Sequence, residues 1–104
     1  MKCLEELNET VYPLDIIRAV YLPDRKIYGF IISMRNIPGA LAKTSKVFWK
    51  NGINILYCIG VSKEEISDSL LICDFTFSRV APEEILQQIR EVEDVIEVTI
   101  IEPI

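Results

Sequence analysis

The chain has 104 residues, half of them apolar, enough for one ordinary core and too few for two. Eleven Lys and Arg against sixteen Asp and Glu leave a formal charge of −5, which argues against a phosphate backbone or an anionic membrane as partner. The apolar runs fall far short of the roughly 20 residues of a bilayer helix, and the first twenty residues carry Glu5, Glu6, Glu9 and Asp15, so a soluble, cytoplasmic protein is expected.

Cys3, Cys58 and Cys73 are widely spaced, and there is no histidine. That excludes a Cys/His zinc set and a Cys/His nucleophile, and no metal or cofactor is expected. Cys58 and Cys73 lie in apolar runs and read as buried core thiols.

Residues 1–26 read as an N-terminal extension. "DIIRAVYLPDRK" fits a strand turning at Pro23-Asp24, while Leu14, Ile17 and Tyr21 are also compatible with a short helix. In either case the segment is expected to pack on an open sheet face or on a partner. From residue 27 to 104 the elements follow a regular order. "IYGFIISM" is a strand. "GALAKTSKVFWKNG" is a helix, with Pro38 and Gly39 at its start and Asn51-Gly52 at its end. Its core-facing side is Leu41, Thr44, Ser45 and Phe48, and its solvated side is Lys43, Lys46 and Lys50. "INILYCIGVS" and "LLICDFTFS" are strands joined through the polar turn "KEEISDS". "APEEILQQIREVED" is a second helix, opened by Pro82, favoured by Glu83 and Glu84 at its positive end, and striped by Ile85, Leu86 and Ile89. "VIEVTIIE" closes as a strand, with Ile96, Val98 and Ile100 inward.

The order βαββαβ is that of a ferredoxin-like α+β domain: a four-stranded antiparallel sheet with two helices on one face. The other face is left open. Strict alternation puts Ile55 and Tyr57 on one side of the second strand and Leu56 and Cys58 on the other, with Cys58, Leu56, Leu70 and Ile72 as candidates for the helix-free side. With its mean hydropathy of +0.27, the domain is expected to form a homodimer or higher oligomer.

The pairing of Asn36, Pro38, Gly39 and Leu41 with Gly52, Ile53, Asn54 and Ile55 resembles the ACT domain, a small ligand-sensing module of amino-acid metabolism. The resemblance covers about residues 27 to 102. It implies a stand-alone regulatory module that is not an enzyme. Two copies would hold an amino acid or similar metabolite between Asn36, Pro38, Gly39, Ala40 and Leu41 of one and Asn54 and Ile55 of the other, with a metabolic enzyme as a possible partner. Serine-sensing members carry a histidine two residues before the loop asparagine, where this chain has Met34, so serine is not the expected ligand.

The residues themselves carry a compatible chemistry. Gly39 allows close approach to free N–H groups at the positive end of a helix, which suits a carboxylate. An asparagine amide donates and accepts at once, which suits a zwitterion. The competing readings are structural: Asn36 as a helix cap, Pro38-Gly39 as a turn, Asn54 satisfying backbone at a strand start. A domain without a ligand, pairing with another protein through its sheet, is the alternative function. An acylphosphatase-like site built on Arg35 and Asn36 lacks a glycine-rich phosphate cradle.

Overall fold

The computed structural model describes residues 25–101. The expectations for the extension up to Asp24, and for Cys3, lie outside the described residues. In chain order the elements are β1 (Ile27–Arg35), α1 (Ala40–Lys50), β2 (Asn54–Lys63), β3 (Ile66–Asp74), α2 (Pro82–Arg90) and β4 (Val95–Ile101). The strands form one antiparallel sheet in the order β2-β3-β1-β4, with β2 and β4 at the edges. The ferredoxin-like plan read from the sequence is the fold of the chain.

One layer of the core lies between the sheet and both helices. Phe30, Ile32 and Met34 of β1, Leu71 and Cys73 of β3 and Val98 of β4 meet Phe48 of α1 and Ile85 and Ile89 of α2. Phe30 packs edge-on to Phe48, with ring centroids 5.2 Å apart, an arrangement that aligns the positive ring edge with the negative face. The buried stripe of α1 is Ala40, Thr44 and Phe48, spaced by four so that each lies one turn above the last. Thr44 is tolerated there because its hydroxyl donates to the Ala40 carbonyl at 2.9 Å. Leu41, expected inside, is instead exposed beside the helix start. The two helices are tied by Asn51, whose Nδ2 donates to the Val47 carbonyl at 2.7 Å and to Gln88 Oε1 at 2.9 Å.

The expected faces of β2 need correction. A β-bulge falls between Ile55 and Tyr57: Ile55 pairs with Cys73, Tyr57 with Ile72 and Cys58 with Leu71. The extra residue, Leu56, shifts the alternation by one, and every side chain after it changes face. Tyr57, Ile59 and Val61 therefore join Ile27, Ile31, Leu70 and Ile72 in a second apolar cluster on the side without helices. Cys58 falls on the helix side, at the sheet edge, and is exposed rather than a core thiol. Cys73 is fully buried, as expected. Burial pushes both thiols above the usual cysteine value, Cys73 much the further.

β4 also departs from simple alternation. The β1–β4 register shifts between Ser33 and Met34, and Ile96, expected inward, is exposed. Val98 is buried and Ile100 packs partly against the core.

Candidate functional site

The loop between β1 and α1 is held from both sides by backbone. The Arg35 N–H donates to the Asp94 carbonyl at 2.8 Å, and the Asn36 N–H donates to the Glu65 carbonyl at 2.8 Å. The Asn36 side chain adds a third tie, its Nδ2 donating to the Glu64 carbonyl at 2.9 Å. Asn36 therefore clamps the tip of the β2–β3 hairpin, and the competing reading of it as a helix cap does not hold, since Gly39 is the N-cap of α1. The sequence signal was present but indirect: because β3 pairs with β1, the "KEE" turn must arrive beside the end of β1. Glu64 sits at φ 55, a non-glycine residue in the left-handed region, and the two bonds from Asn36 hold the tip in that conformation.

The N-cap of α1 is Gly39, at φ 87 and with no side-chain cap. Ala40 N–H reaches the Ile37 carbonyl at 3.3 Å and Lys43 N–H reaches the Gly39 carbonyl at 3.0 Å. Among the described residues no acceptor takes the N–H of Leu41 or Ala42, so two donors at the positive end of the helix are unclaimed. A Cβ built on Gly39 would have nothing within 4 Å. Pro38 is exposed in the turn, and Ala40 is buried against the core.

A cleft of about 630 Å³ opens beside this loop, lined by Arg35, Asn36, Ile37, Glu64, Glu65, Ile66 and Ile96. It carries one cationic and two anionic side chains within an apolar rim. Of these, the sequence marks Asn36 as a ligand residue and Arg35 only for a phosphate site, and the hairpin residues fall in a polar turn. A second hollow of similar size runs between α2 and β4, lined by Leu86, Arg90 and the β4 strand and sharing Ile96 with the first.

Within one chain the two halves of the expected site are apart. Arg35, next to Asn36, pairs with Ile66 at the start of β3, whereas Asn54 pairs with Asp74 at its end. At about 3.4 Å per residue, those two ends of β3 are separated by roughly 27 Å. Asn54 is exposed at the edge, and Ile55 is half-buried with its side chain on the helix-side core.

Lys43, expected on a solvated face, reaches across the mouth of the loop. Its Nζ lies 2.9 Å from Asp94 Oδ2, whose side chain is 4% exposed. The hydrogen bond and charge of Asp94 push the Lys43 pKa up. Asp94 thus joins the first turn of α1 to the end of β1, through its carboxylate and its carbonyl respectively. Among the described residues no group of three or more His, Cys, Asp or Glu is placed to hold a metal ion, and no helix is long and apolar enough to cross a membrane.

No protein-family model matches the chain, and no curated protein matches it significantly. Solved structures do. The chain is similar to the ACT domain from GTP pyrophosphokinase of Chlorobium tepidum, at 18% identity and a TM-score of 0.60, over 74% of this chain and 99% of that one. It is similar to the C-terminal domain of the MgtC protein from Mycobacterium tuberculosis, at 12% identity and a TM-score of 0.59, over 79% of this chain and 92% of that one. A homoserine dehydrogenase from Thiobacillus denitrificans aligns at 21% identity and a TM-score of 0.56, over 74% of this chain but only 17% of its own length. The fold of the chain is that of an ACT domain.

Proposed function

We propose that this chain is an ACT-type regulatory module that binds an amino acid or related small metabolite at the β1–α1 loop, where two copies meet. The observation that carries the reading is the α1 start: two unclaimed N–H donors at the positive helix end, beside a glycine with open approach and a cleft lined by Arg35, Glu64 and Glu65. A carboxylate suits the helix end or Arg35, and an ammonium suits the two glutamates, so the mixed lining matches a zwitterion better than a simple anion. Asn36 contributes its Oδ1 as an acceptor, since its Nδ2 is committed to the hairpin.

The separation of Asn36 from Asn54 within one chain supports a shared site rather than opposing it. If two copies pair β2 edges antiparallel about a two-fold axis, the Asn36 end of one lies beside the Asn54 end of the other. The β2 edge suits such pairing, because Asn54 to Ser62 carries no charge to block it. Asn36, Pro38, Gly39, Ala40 and Leu41 of one copy would then face Asn54 and Ile55 of its partner. The same edge favours a second reading, a module without ligand that pairs with its own kind or with a metabolic enzyme.

Thermal melting with each proteinogenic amino acid and common biosynthetic intermediates tests the proposal. A ligand at 100 times its Kd adds about 2.7 kcal/mol, a shift of roughly 10 °C or more for a domain of this size. Gly39→Val should remove the shift and Asn54→Ala should weaken it. No shift with any compound, together with no small molecule retained through native purification, would leave the ligand-free pairing module.

A further inference from the structure

Six large apolar side chains stand exposed among the described residues, and three of them are isoleucines on one cleft. Ile37, Ile66 and Ile96 are 42%, 45% and 56% accessible, and all three line the hollow beside the β1–α1 loop. Single exposed apolar residues are ordinary, but several that converge on one concavity mark a binding surface. They come from three separate elements. Ile37 follows β1, its N–H donating to the Arg35 carbonyl at 2.9 Å. Ile66 opens β3 opposite Arg35. Ile96 belongs to β4, where Met34 and Ser33 of β1 pair with Val95 and Glu97 and leave the residue between them surplus. A bulge of this kind re-aims a side chain, and here the re-aimed side chain is an isoleucine at the rim of the cleft.

We infer that the cleft takes an amino acid with an aliphatic side chain, of the size of leucine, isoleucine or valine, held against Ile37, Ile66 and Ile96. This rests on the reading of the β1–α1 loop as an amino-acid site and names which amino acids it takes. The polar lining is used up by the groups that all amino acids share. Arg35 pairs with the carboxylate. An α-ammonium has three N–H donors, and the cleft offers three acceptors: the carboxylates of Glu64 and Glu65 and the Asn36 Oδ1, whose Nδ2 is spent on the Glu64 carbonyl. The Glu65 carbonyl is taken by the Asn36 N–H. The three lining residues that remain are the isoleucines, so a side-chain hydroxyl, amide or charge seated there would lose water and gain no partner. None of the lining residues is aromatic, so a ring would gain no edge-to-face contact.

Calorimetric titration of the full chain with L-leucine, L-isoleucine and L-valine, against L-alanine, L-serine, L-lysine and L-phenylalanine, tests the inference. The best of the first three should bind at least about tenfold tighter than alanine or serine, since a single methylene in an apolar site is worth roughly that much or more, and tighter than lysine or phenylalanine. Ile96→Ser should cut the affinity for that ligand roughly tenfold and leave alanine unchanged, so the preference collapses. Ile37→Ser should act in the same way, and it decides if melting shows that Ile96→Ser has unfolded. Arg35→Gln should weaken all seven compounds alike, because it meets the carboxylate they share. Serine, lysine or phenylalanine binding as tightly as the best aliphatic compound, or a preference that survives both isoleucine changes, would overturn the aliphatic class while leaving an amino-acid site in place. No binding by any proteinogenic amino acid would overturn both.

Discussion

Replacing Gly52 by alanine should destabilise the fold more than replacing Gly39, although the two glycines have nearly the same backbone, φ 79 and φ 87. At both, an L side chain in the left-handed region costs about 1–2 kcal/mol, offset by about 0.4–1 kcal/mol from the stiffer unfolded chain. At Gly39 nothing is added, since its Cβ enters open space. At Gly52 the new Cβ lies 2.9 Å from the Phe77 carbonyl oxygen, which is backbone and cannot turn aside. The strand-to-helix connection after Phe75 must shift, and the nearby bond from the Arg79 N–H to the Asn51 carbonyl, 3.0 Å long, is the one exposed to that shift. Losing such a bond costs about 0.5–1.5 kcal/mol. Gly52→Ala should therefore exceed Gly39→Ala by about 1 kcal/mol, a Tm gap of roughly 4–8 °C. Thermal melts of the two variants, without ligand, measure it. Equal melting temperatures, or a lower one for Gly39→Ala, would refute the assignment of the difference to the Phe77 carbonyl.

Asn36→Ala should lower stability by about 0.5–1.5 kcal/mol even without ligand, through the lost bond to the Glu64 carbonyl; urea denaturation at fixed m-value reads this directly. Cys58 should react with a thiol reagent in the native protein, whereas Cys73 should react only when the chain unfolds, and mass spectrometry of the labelled peptides separates them. The Lys43–Asp94 pair should matter below pH 10.5, the ordinary lysine value, and fade as pH rises through the higher folded-state value, because a raised lysine pKa stabilises only while the proton is held. The urea midpoints of the unaltered chain and of Asp94→Asn should accordingly converge above pH 10.5; a gap that widens there would contradict the pairing.

Element order and type were legible because each signal is local. Pro82 followed by two glutamates marks a helix start, and the apolar run from Ile27 marks a central strand whichever way the chain folds. The place of Gly39 at the start of α1 was equally readable. The misreadings of Leu56, Lys43 and Asn36 depend on partners distant in sequence. Leu56 is an ordinary strand residue until its pairing with β3 leaves it surplus. Lys43 looks solvated until the turn before β4 delivers Asp94, 51 residues later. Asn36 has the composition of a cap, and only the arrival of the β2–β3 hairpin turns its amide aside. For the site, the residue types around the loop were visible, but Glu64, Glu65, Ile66 and Ile96 enter the cleft through strand pairing that no local pattern encodes.

The surplus residue in β2 also governs how this chain can be compared with others. Position-by-position alignment assumes that equal offsets along a strand mean equal surroundings. Past Leu56 that assumption fails against any relative whose strand is regular: an ungapped alignment would set Tyr57, Ile59 and Val61 against residues of the opposite layer. Each mismatched column would score an inward position against an outward one, lowering apparent similarity without any change of fold. A single gap at Leu56 restores the phase, so sequence searches of this chain are best run with β2 divided at that residue.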